Sequence, residues 1–533
     1  MGRSLLHLTI LHKQAPVRLF SDWPPHKNQK IYYSKMTLFI LEAGRCASAG
    51  ERAIMGFFSR RHKPKLLETE QISYSDLYFQ LHLSRGDLSI KPLFIVASVE
   101  LGNSTTKAIL TATDLKSGRT YILNKAVRMT RDALSPQAAF CHTISKVALS
   151  EASIAELVKE TLLECTHSAG VTVPDLHFVV RSTGVTACFS KIAEVEGVIK
   201  ALAQGCILAG VPPRKMISPM GLENIPAELR AFSRMEKTYF DGAVTGNIPP
   251  GGESVVGNEM EGELVTAGLK EAAKWLNVDY RNPVISLDFG TTLSGRITDD
   301  ELPYARVIGS YCGLAGAIPD AVVSKVVSVA YPSVLDLTKT GIQGMRVKKG
   351  IVKGYVEEIL KQVWIGTVKR GSTRVGGVPV NADAAERNDV VLIGVDAGDN
   401  LSNLPKIADI GEELVKAEGE AYLIPVIDEL SASIQERLVR IAKEEGLFLE
   451  KTKIGVTGRA GITGKKPEIV LEKLSGLFGR NMDKEVIFAD DALARGAAVL
   501  GKCMHQFGSA GNPIGGVQGR GCLYGQRIKL QKK

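Results

Sequence analysis

The chain of 533 residues is long enough for two or more domains. Its 44% hydrophobic and 23% charged residues are typical of a globular protein, and no apolar run reaches the roughly 18 residues that a membrane-spanning helix needs. The eight cysteines include no C-x-x-C pair, which argues against a zinc ribbon and a secreted disulfide scaffold and favours a cytoplasmic protein.

The formal charge of +9 is carried by the N-terminal segment. Residues 1–65 hold twelve Lys and Arg against three acidic residues, so the rest of the chain is neutral on balance. A nucleic-acid-binding domain is expected to present a basic face, and the neutral remainder predicts none. We therefore expect neither a nucleic acid nor a membrane as a partner.

The N-terminal segment differs from the rest of the chain. Residues 1–54 have no sustained hydrophobic periodicity, and their six-residue apolar run at 36–41 is too short for a signal peptide. We expect residues 1–54 to be a mis-called start, with Met55 as the natural one; a disordered basic arm is the alternative. Residues 1–92 as a whole are predicted to be a poorly structured extension.

Strands and helices alternate in residues 93–281. The predicted elements are strands at 93–99, 107–113 and 119–129, a helix at 151–168, a strand at 176–181, a helix at 190–208, a strand at 237–241 and a helix at 259–275. The helix at 151–168 has the clearest start, because Ser150 is a favourable N-cap residue.

The loop after the first predicted strand has the composition of an anion site. It begins with the carboxylate Glu100 and continues with Gly102, Asn103, Ser104, Thr105, Thr106 and Lys107. A carboxylate at a strand end can hold Mg²⁺ or its waters, while Gly and hydroxyl residues can form an anion-binding nest. A single loop of this kind is weak evidence, because similar residues are common in hairpin turns.

A second loop of the same kind follows the predicted strand at 283–287. It contains Asp288, Gly290, Thr291 and Thr292, and a strand at 293–298 comes next. Two such loops in otherwise unlike halves indicate a duplicated α/β fold that grips one nucleotide from both sides.

The second half of the chain, residues 282–502, carries an α/β insertion at about 340–450. Its other predicted elements are a strand at 304–308, a helix at 315–330 and a last strand at 453–456. The insertion is predicted to contain helices at 351–366, 405–418 and 428–445 and strands at 390–395 and 421–426. Residues 503–533 are Gly-rich and basic and are expected to form a flexible tail.

A third Gly-rich turn follows the strand at 453–456. Gly458 and Gly461 would let a purine approach the backbone, and Arg459 lies between them. The small-residue helix that starts near 492 is expected to pack closely against another helix, as a hinge between moving halves requires. The segment 312–320, which is also rich in Gly and Ala, is its expected partner.

The order of these motifs resembles the superfamily of actin, the 70-kDa heat-shock proteins and sugar kinases, over residues 93–502. The resemblance implies a duplicated actin-like (ribonuclease H-like) ATPase fold, with lobes at 93–281 and 282–502 around a nucleotide cleft. The first loop also looks like that of diol-dehydratase reactivases. The stretches 96–111, 178–186, 258–266 and 288–299 resemble methanogenesis marker protein 14, a family of methanogenic archaea.

The resemblance implies ATP and Mg²⁺ as cofactors. Asp288 would coordinate the Mg²⁺ shell or position the attacking water, with Glu100 as a second catalytic residue. The nucleotide would be held by Gly102, Asn103, Ser104, Thr105, Thr106, Lys107, Gly290, Thr291, Thr292, Gly458, Arg459 and Gly461. Glu100 stands where the superfamily usually has Asp, and Arg459 stands where the adenosine motif usually has Gly. Both departures allow a slow ATPase or a protein that binds ATP without hydrolysing it.

Three functions fit this pattern. The leading one is an ATP-driven activator, reactivase or maturation chaperone for an unidentified client enzyme of methanogenic metabolism. The alternatives are a small-molecule kinase, with Asp288 as general base, and a non-hydrolysing nucleotide-binding scaffold. A homodimer is left open. Cys312 is expected to be a packed core thiol rather than a cluster ligand, and Asp396 and Asp399 are expected to form a turn rather than a metal site.

Overall fold

The computed structural model describes residues 63–68, 70–85, 93–133, 138–185, 192–216, 239–241, 244–246, 259–300, 307–340, 347–387 and 389–507. The expectation for residues 1–54 and most of that for 503–533 lie outside these ranges.

The extension before residue 93 contains two ordered elements. Strand β1 (Lys65–Leu67) pairs in parallel with a strand near the C-terminus, and helix α1 (Tyr74–Arg85) inserts Leu77 and Leu81 into the core of the first lobe. The prediction of a poorly structured extension is therefore wrong for these residues. The sequence signal is weak because β1 is very short and α1 leaves Phe79 exposed.

The first lobe is a sheet with helices on both faces. The sheet contains β2 (Phe94–Leu101), β3 (Thr105–Thr113), β4 (Thr120–Met129), β7 (Phe178–Thr183), β8 (Tyr239–Asp241) and β9 (Val244–Gly246). A separate two-stranded sheet is formed by β5 (Cys141–His142) and β6 (Ala148–Leu149). Its helices are α2 (Glu151–Ser168), α3 (Ile192–Leu208) and α4 (Glu259–Leu276). Helix α2 has the predicted bounds, and Ser150 and Ser153 form a capping box at its start.

Strand β2 is buried on both faces, which explains its continuous apolar run. Ile95 and Val99 belong to the core shared with α2 and α3, while Phe94 and Val96 pack against Ala497 on the opposite face. Such a strand shows no alternation of apolar and polar residues, as in buried parallel sheets.

The second lobe contains a longer sheet. Besides β1, that sheet contains β10 (Val284–Phe289), β11 (Leu293–Thr298), β12 (Val307–Gly313), β13 (Trp364–Thr367), β16 (Val391–Asp396), β17 (Lys453–Thr457) and β18 (Val486–Ala489). A separate two-stranded sheet is formed by β14 (Arg374–Val375) and β15 (Val378–Pro379). Its helices are α5 (Ala317–Val323), α6 (Lys349–Leu360), α7 (Ala382–Arg387), α8 (Leu404–Glu418), α9 (Leu423–Glu444), α10 (Arg459–Ile462), α11 (Lys466–Phe478) and α12 (Ala492–Phe507).

The two sheets share one topology. The first has the order β4-β3-β2-β7-β9, and the second contains β12-β11-β10-β17-β18. In both sheets the three strands that come first in the chain (β2, β3, β4 and β10, β11, β12) form an antiparallel meander. The next two strands (β7, β9 and β17, β18) lie parallel to the earliest strand, on its free side. The predicted duplicated actin-like, ribonuclease H-like fold is therefore confirmed. Strands β16 and β13 of the insertion extend the second sheet beyond β12.

Several predicted elements need correction. The predicted strand at 421–426 is a 3-10 helix, Glu420–Tyr422, followed by α9. Short apolar runs do not distinguish a strand from a buried helix, and Pro425 is tolerated because it lies in the first turn. The predicted helix at 315–330 is only α5, and the one at 351–366 ends at Leu360 before β13. Helix α12 runs to Phe507, into the predicted tail.

The small-residue helix α12 packs against α4, so the prediction that it pairs with segment 312–320 is wrong. A Cβ on Gly268 of α4 would lie 1.7 Å from the Ala492 carbonyl oxygen, and one on Gly496 would lie 1.9 Å from the Leu264 carbonyl oxygen. Helix α12 also packs on the first sheet, where Ala497 contacts that core, whereas α4 packs on β10 and β11. The two helices therefore cross between the lobes. No helix in the described ranges is long and apolar enough to span a membrane.

Candidate functional site

The two hairpin loops predicted to bind phosphate meet between the lobes. The Ser104 hydroxyl of the β2–β3 loop lies 2.9 Å from the Thr291 hydroxyl of the β10–β11 loop. Thr292 faces Gly184 at the end of β7, where an added Cβ would lie 3.4 Å from the Thr292 hydroxyl. The duplicated topology therefore brings equivalent loops from both lobes to one place.

The first loop needs its glycine for closure. The Gly102 amide donates to the Thr105 carbonyl over 3.0 Å, and a Cβ on Gly102 would lie 2.7 Å from that oxygen. Thr105 itself is buried. A larger residue at 102 would force this tight turn open and move Ser104.

Two predicted nucleotide-binding side chains of this loop are engaged in holding it in place. The Asn103 amide donates to the Gly184 carbonyl over 2.6 Å and accepts from the Ile144 amide over 2.9 Å. Thr106 is fully buried and shares a 3.0 Å hydrogen bond with Thr130. Asn103 and Thr106 thus support the loop, while Ser104 points at the other lobe.

The predicted carboxylates Glu100 and Asp288 lie on facing strands with Lys107 beside them. The Lys107 ammonium lies 3.2 Å from a Glu100 carboxylate oxygen. Burial by itself would lower the pKa of Lys107, but the negative charges of Glu100, Asp288 and Asp491 have the larger effect, so this pKa is raised. Burial, with a contribution from the charge of Glu100, raises the pKa of Asp288 to about 7, and Lys107 opposes this shift. Near neutral pH, Asp288 can therefore either hold or accept a proton.

Replacing Asp288 with Asn should make the protein more stable at alkaline pH. The raised pKa means that the wild-type fold is stabilised most below the ordinary Asp value of 3.8 and loses that stability as the pH rises through about 7. Asn cannot ionise, so the free energy of unfolding of the variant should rise relative to that of the wild type by about 2 kcal/mol between pH 4.5 and pH 8. Urea unfolding at both pH values measures this difference.

The exposed Asp409 offers the matched control for this experiment. Asp409→Asn makes the same chemical change on an exposed part of α8, where the carboxylate is paired with the exposed Lys325. Its stability difference from wild type should be nearly the same at the two pH values. If Asp288→Asn also shows no pH-dependent difference, the raised pKa of Asp288 is refuted.

The second loop is supported by the segment before α5. The Gly316 amide donates to the Gly290 carbonyl over 2.8 Å, and the amides of Ala315 and Ala317 donate to the Thr291 carbonyl. A Cβ on Gly316 would lie 2.7 Å from the Gly290 carbonyl oxygen, which explains the small residues of this segment. Their role is to hold the second loop, not to pack against α12.

The third Gly-rich turn lies directly against the second loop. Gly458 has a φ of +84°, and a Cβ on it would lie 2.4 Å from an Asp288 carboxylate oxygen. Gly461 packs on Phe289 and accepts a 3.2 Å hydrogen bond from the Gln435 amide. Arg459 lies between them, and its guanidinium reaches Asp320 of α5 at 3.5 Å. All three predicted loops therefore converge.

Sequence reasoning missed three residues at this junction: Asp320, Arg131 and Asp336. Arg131 of the first lobe forms a two-pronged ion pair with Asp336 of the second, at 2.8 and 2.7 Å. The Asp320 carboxylate contacts Ser104, Arg459 and the Val334 amide. Arg131 and Asp336 stand in no recognisable motif, and Asp320 ends the segment 312–320 that was assigned to helix packing. Their partners across the junction are distant in sequence, so the sequence gives no local signal for these contacts.

Two other candidate sites have structural explanations. Cys312 is fully buried on β12, and burial raises the pKa of its thiol to about 12, which fits a packed core cysteine. The Asp396 carboxylate accepts hydrogen bonds from the amides of Ala397, Asn400 and Leu401, as a turn former does. In the described ranges, no group of three or more His, Cys, Asp or Glu side chains is placed to hold a metal by itself.

A large groove of about 2340 Å³ lies in the second lobe between α6, α9 and α11. One end is lined by residues 463–466, just after the third turn. Asp428 and Lys466 form a buried ion pair of 2.7 Å in its wall. The groove does not include the hairpin loops, so it is a separate surface from the loop junction.

Comparison with known proteins gives family-level matches. The family model described as "Uncharacterized protein conserved in archaea (DUF2114)" matches residues 93–531. A protein of Methanocaldococcus jannaschii is 49% identical over 451 residues, covering 84% of this chain and 93% of the relative. One of Methanothermobacter thermautotrophicus is 48% identical over 448 residues, covering 83% of each chain.

Solved structures match only distantly. A "Reductive activator for corrinoid,iron-sulfur protein" is 12% identical with a TM-score of 0.31; the match covers 78% of this chain and 61% of that protein's length. The ethanolamine utilization protein EutJ from Carboxydothermus hydrogenoformans is also 12% identical with a TM-score of 0.31, covering 80% of this chain and 98% of EutJ. TM-scores this low do not support any statement about the function of this chain.

Proposed function

This chain belongs to the archaeal family whose model it matches over residues 93–531, and we propose that it binds Mg-ATP between the two lobes of its actin-like fold. The observation that carries the proposal is the meeting of the two hairpin loops, with the Ser104 and Thr291 hydroxyls 2.9 Å apart. Hydroxyls and close backbone amides from both sides suit a phosphate chain, which offers negatively charged oxygens in several directions.

The residues at the junction include the types of group that phosphoryl transfer needs: phosphate donors, carboxylates for Mg²⁺ and a turn for the adenosine. Phosphate donors would come from Ser104, Thr105, Lys107, Gly290, Thr291 and Thr292, while Gly102 keeps the first loop closed. Asp288 and Glu100 supply carboxylate oxygens, which Mg²⁺ prefers, and this ion usually keeps several waters and shares phosphate oxygens. When bound, Mg²⁺ would neutralise phosphate charge. The adenosine would lie along Gly458, Arg459 and Gly461.

Asp288 is the residue that we propose orients the attacking water. Burial and Glu100 raise its pKa to about 7, and a bound Mg²⁺ would lower that pKa, which would leave an ionised carboxylate able to accept a proton near neutral pH. The 3.2 Å pairing of Glu100 with Lys107 leaves this second carboxylate partly engaged. Slow hydrolysis is therefore expected, and the same pairing favours the alternative of a scaffold that binds ATP without turnover.

The biological role that we propose is activation, reactivation or maturation of an enzyme of methanogenic metabolism. The nucleotide state would change the contact between the lobes, and a client would respond to that change. The relatives in two methanogens and the resemblance to methanogenesis marker protein 14 support this setting. A small-molecule kinase would use the same cleft, with Asp288 as base.

Calorimetric titration of the full chain with ATP and ADP, with and without Mg²⁺, tests the proposal. We expect binding in the micromolar range that requires Mg²⁺ and is weakened at least tenfold in Asp288→Ala, since a tenfold change corresponds to one lost interaction of about 1.4 kcal/mol. Asp409→Ala, on the exposed face of α8, should bind like the wild type. Absence of binding by the wild type at millimolar ATP would refute the proposed function.

A further inference from the structure

Asp320 of α5 connects parts of the site that belong to different lobes. One of its carboxylate oxygens accepts from the Ser104 hydroxyl over 3.2 Å and lies 3.5 Å from the Arg459 guanidinium. The other oxygen accepts from the Val334 amide over 2.8 Å. One side chain thus touches the first hairpin loop and the third turn while remaining fixed to the second lobe.

The two donors that Asp320 engages are both expected to contact a nucleotide. Ser104 stands in the first phosphate loop, and Arg459 stands in the turn assigned to adenosine. A carboxylate and a phosphate compete for the same kinds of donor, because both carry negatively charged oxygens that accept charge-assisted hydrogen bonds. Asp320 is only 6% exposed, so its charge lies inside the junction.

The geometry of these contacts suits a temporary partner. The distances of 3.2 and 3.5 Å are long for hydrogen bonds to a carboxylate, which usually measure less than 3 Å. By contrast, the pair between Arg131 and Asp336 at the same junction is short and two-pronged. Compared with the pair between Arg131 and Asp336, the contact through Asp320 is therefore the weaker and the easier to displace.

We propose that Asp320 acts as an internal competitor of the nucleotide: its carboxylate holds Ser104 and Arg459 in the nucleotide-free protein and must release both before the phosphates bind. This inference rests on the proposed function. It makes Asp320 a positioning residue that sets nucleotide affinity without taking part in the reaction. Its effect should be larger for ATP than for adenosine, because adenosine would contact Arg459 but not Ser104.

The test compares Asp320→Asn with Asp336→Asn in calorimetric titrations of the full chain. Asn at 320 keeps an oxygen for the Val334 amide but removes the negative charge, so ATP should bind about tenfold tighter. Asp336→Asn weakens the ion pair with Arg131, a different contact between the lobes, without freeing Ser104 or Arg459, and should not tighten ATP binding. Adenosine should gain less affinity from Asp320→Asn than ATP does, because it lacks the phosphates that Ser104 would bind.

Each outcome has a distinct meaning. Tighter ATP binding by Asp320→Asn alone supports the competition, whereas equal tightening by both variants would show that a looser lobe interface is the cause. Unchanged or weaker ATP binding by Asp320→Asn overturns the inference while the wild-type titration still upholds the proposed function. If neither wild type nor variants bind ATP, both proposals fail. If Asp320→Asn melts well below wild type, Asp320→Ser provides the same test.

Discussion

Replacing Gly268 with Ala is expected to destabilise the protein by at least about 3 kcal/mol. Gly268 lies where α4 crosses α12, and the added Cβ would be 1.7 Å from the Ala492 carbonyl oxygen, a distance that only separation of the helices can relieve. Because these helices join the two lobes, their separation also disturbs the sheets on which they pack. Urea unfolding followed by circular dichroism measures the loss.

Gly354→Ala is the matched control for this prediction. Gly354 lies in the interior of α6, and no atom lies within 4 Å of its added Cβ. Ala favours a helix over Gly by up to about 1 kcal/mol, so this variant should be more stable than wild type. If Gly268→Ala proves as stable as Gly354→Ala, the close crossing of α4 and α12 is contradicted.

Replacing Arg495 with Met is expected to cost about 3 to 5 kcal/mol, because it leaves a buried carboxylate without its charged partner. Arg495 of α12 pairs with Glu271 of α4 at 2.8 Å, and both side chains are less than 5% exposed. Glu271 also accepts from the Thr120 amide and the Trp275 indole, so the pair ties both helices to the first sheet. Thermal and urea unfolding both report this loss.

The same substitution at Arg370 provides the control. Arg370 is 77% exposed and lies at 3.5 Å from Asp383 and Glu386, so Arg370→Met should change stability by less than about 1 kcal/mol. Adding Glu271→Gln to Arg495→Met removes the orphaned charge and should recover part of the loss. A double variant less stable than Arg495→Met alone would contradict the assignment of the loss to an unpaired charge.

The loops were predictable from sequence because their chemistry is local. Each needs a carboxylate at a strand end, a glycine where the backbone closes and hydroxyl residues, and these stand within a few positions of one another. The same locality explains what was missed. Asn103 and Thr106 have the right residue types, but their partners Gly184 and Thr130 are set by the tertiary fold.

The helix against which α12 packs could not be predicted from its small residues alone. Gly and Ala indicate that another part of the backbone approaches closely, and both residue types occur in α4, in α12 and in the segment before α5. Only the structure separates the roles: Gly268 and Gly496 permit the helix crossing, whereas Gly316 permits contact with the second loop. Asp320 ends the segment 312–320, but its contacts with Ser104 and Arg459 could not be predicted, because those partners lie far away along the chain on either side of it.

The most direct test of this account is hydrogen–deuterium exchange of the full chain, measured by mass spectrometry with Mg²⁺ alone and with saturating Mg-ATP. We predict slower exchange in the presence of ATP at both hairpin loops, residues 101–106 and 288–293, and at the third turn, residues 458–461. Protection confined to the groove between α6, α9 and α11, or no protection at either hairpin loop, would contradict a nucleotide site between the lobes.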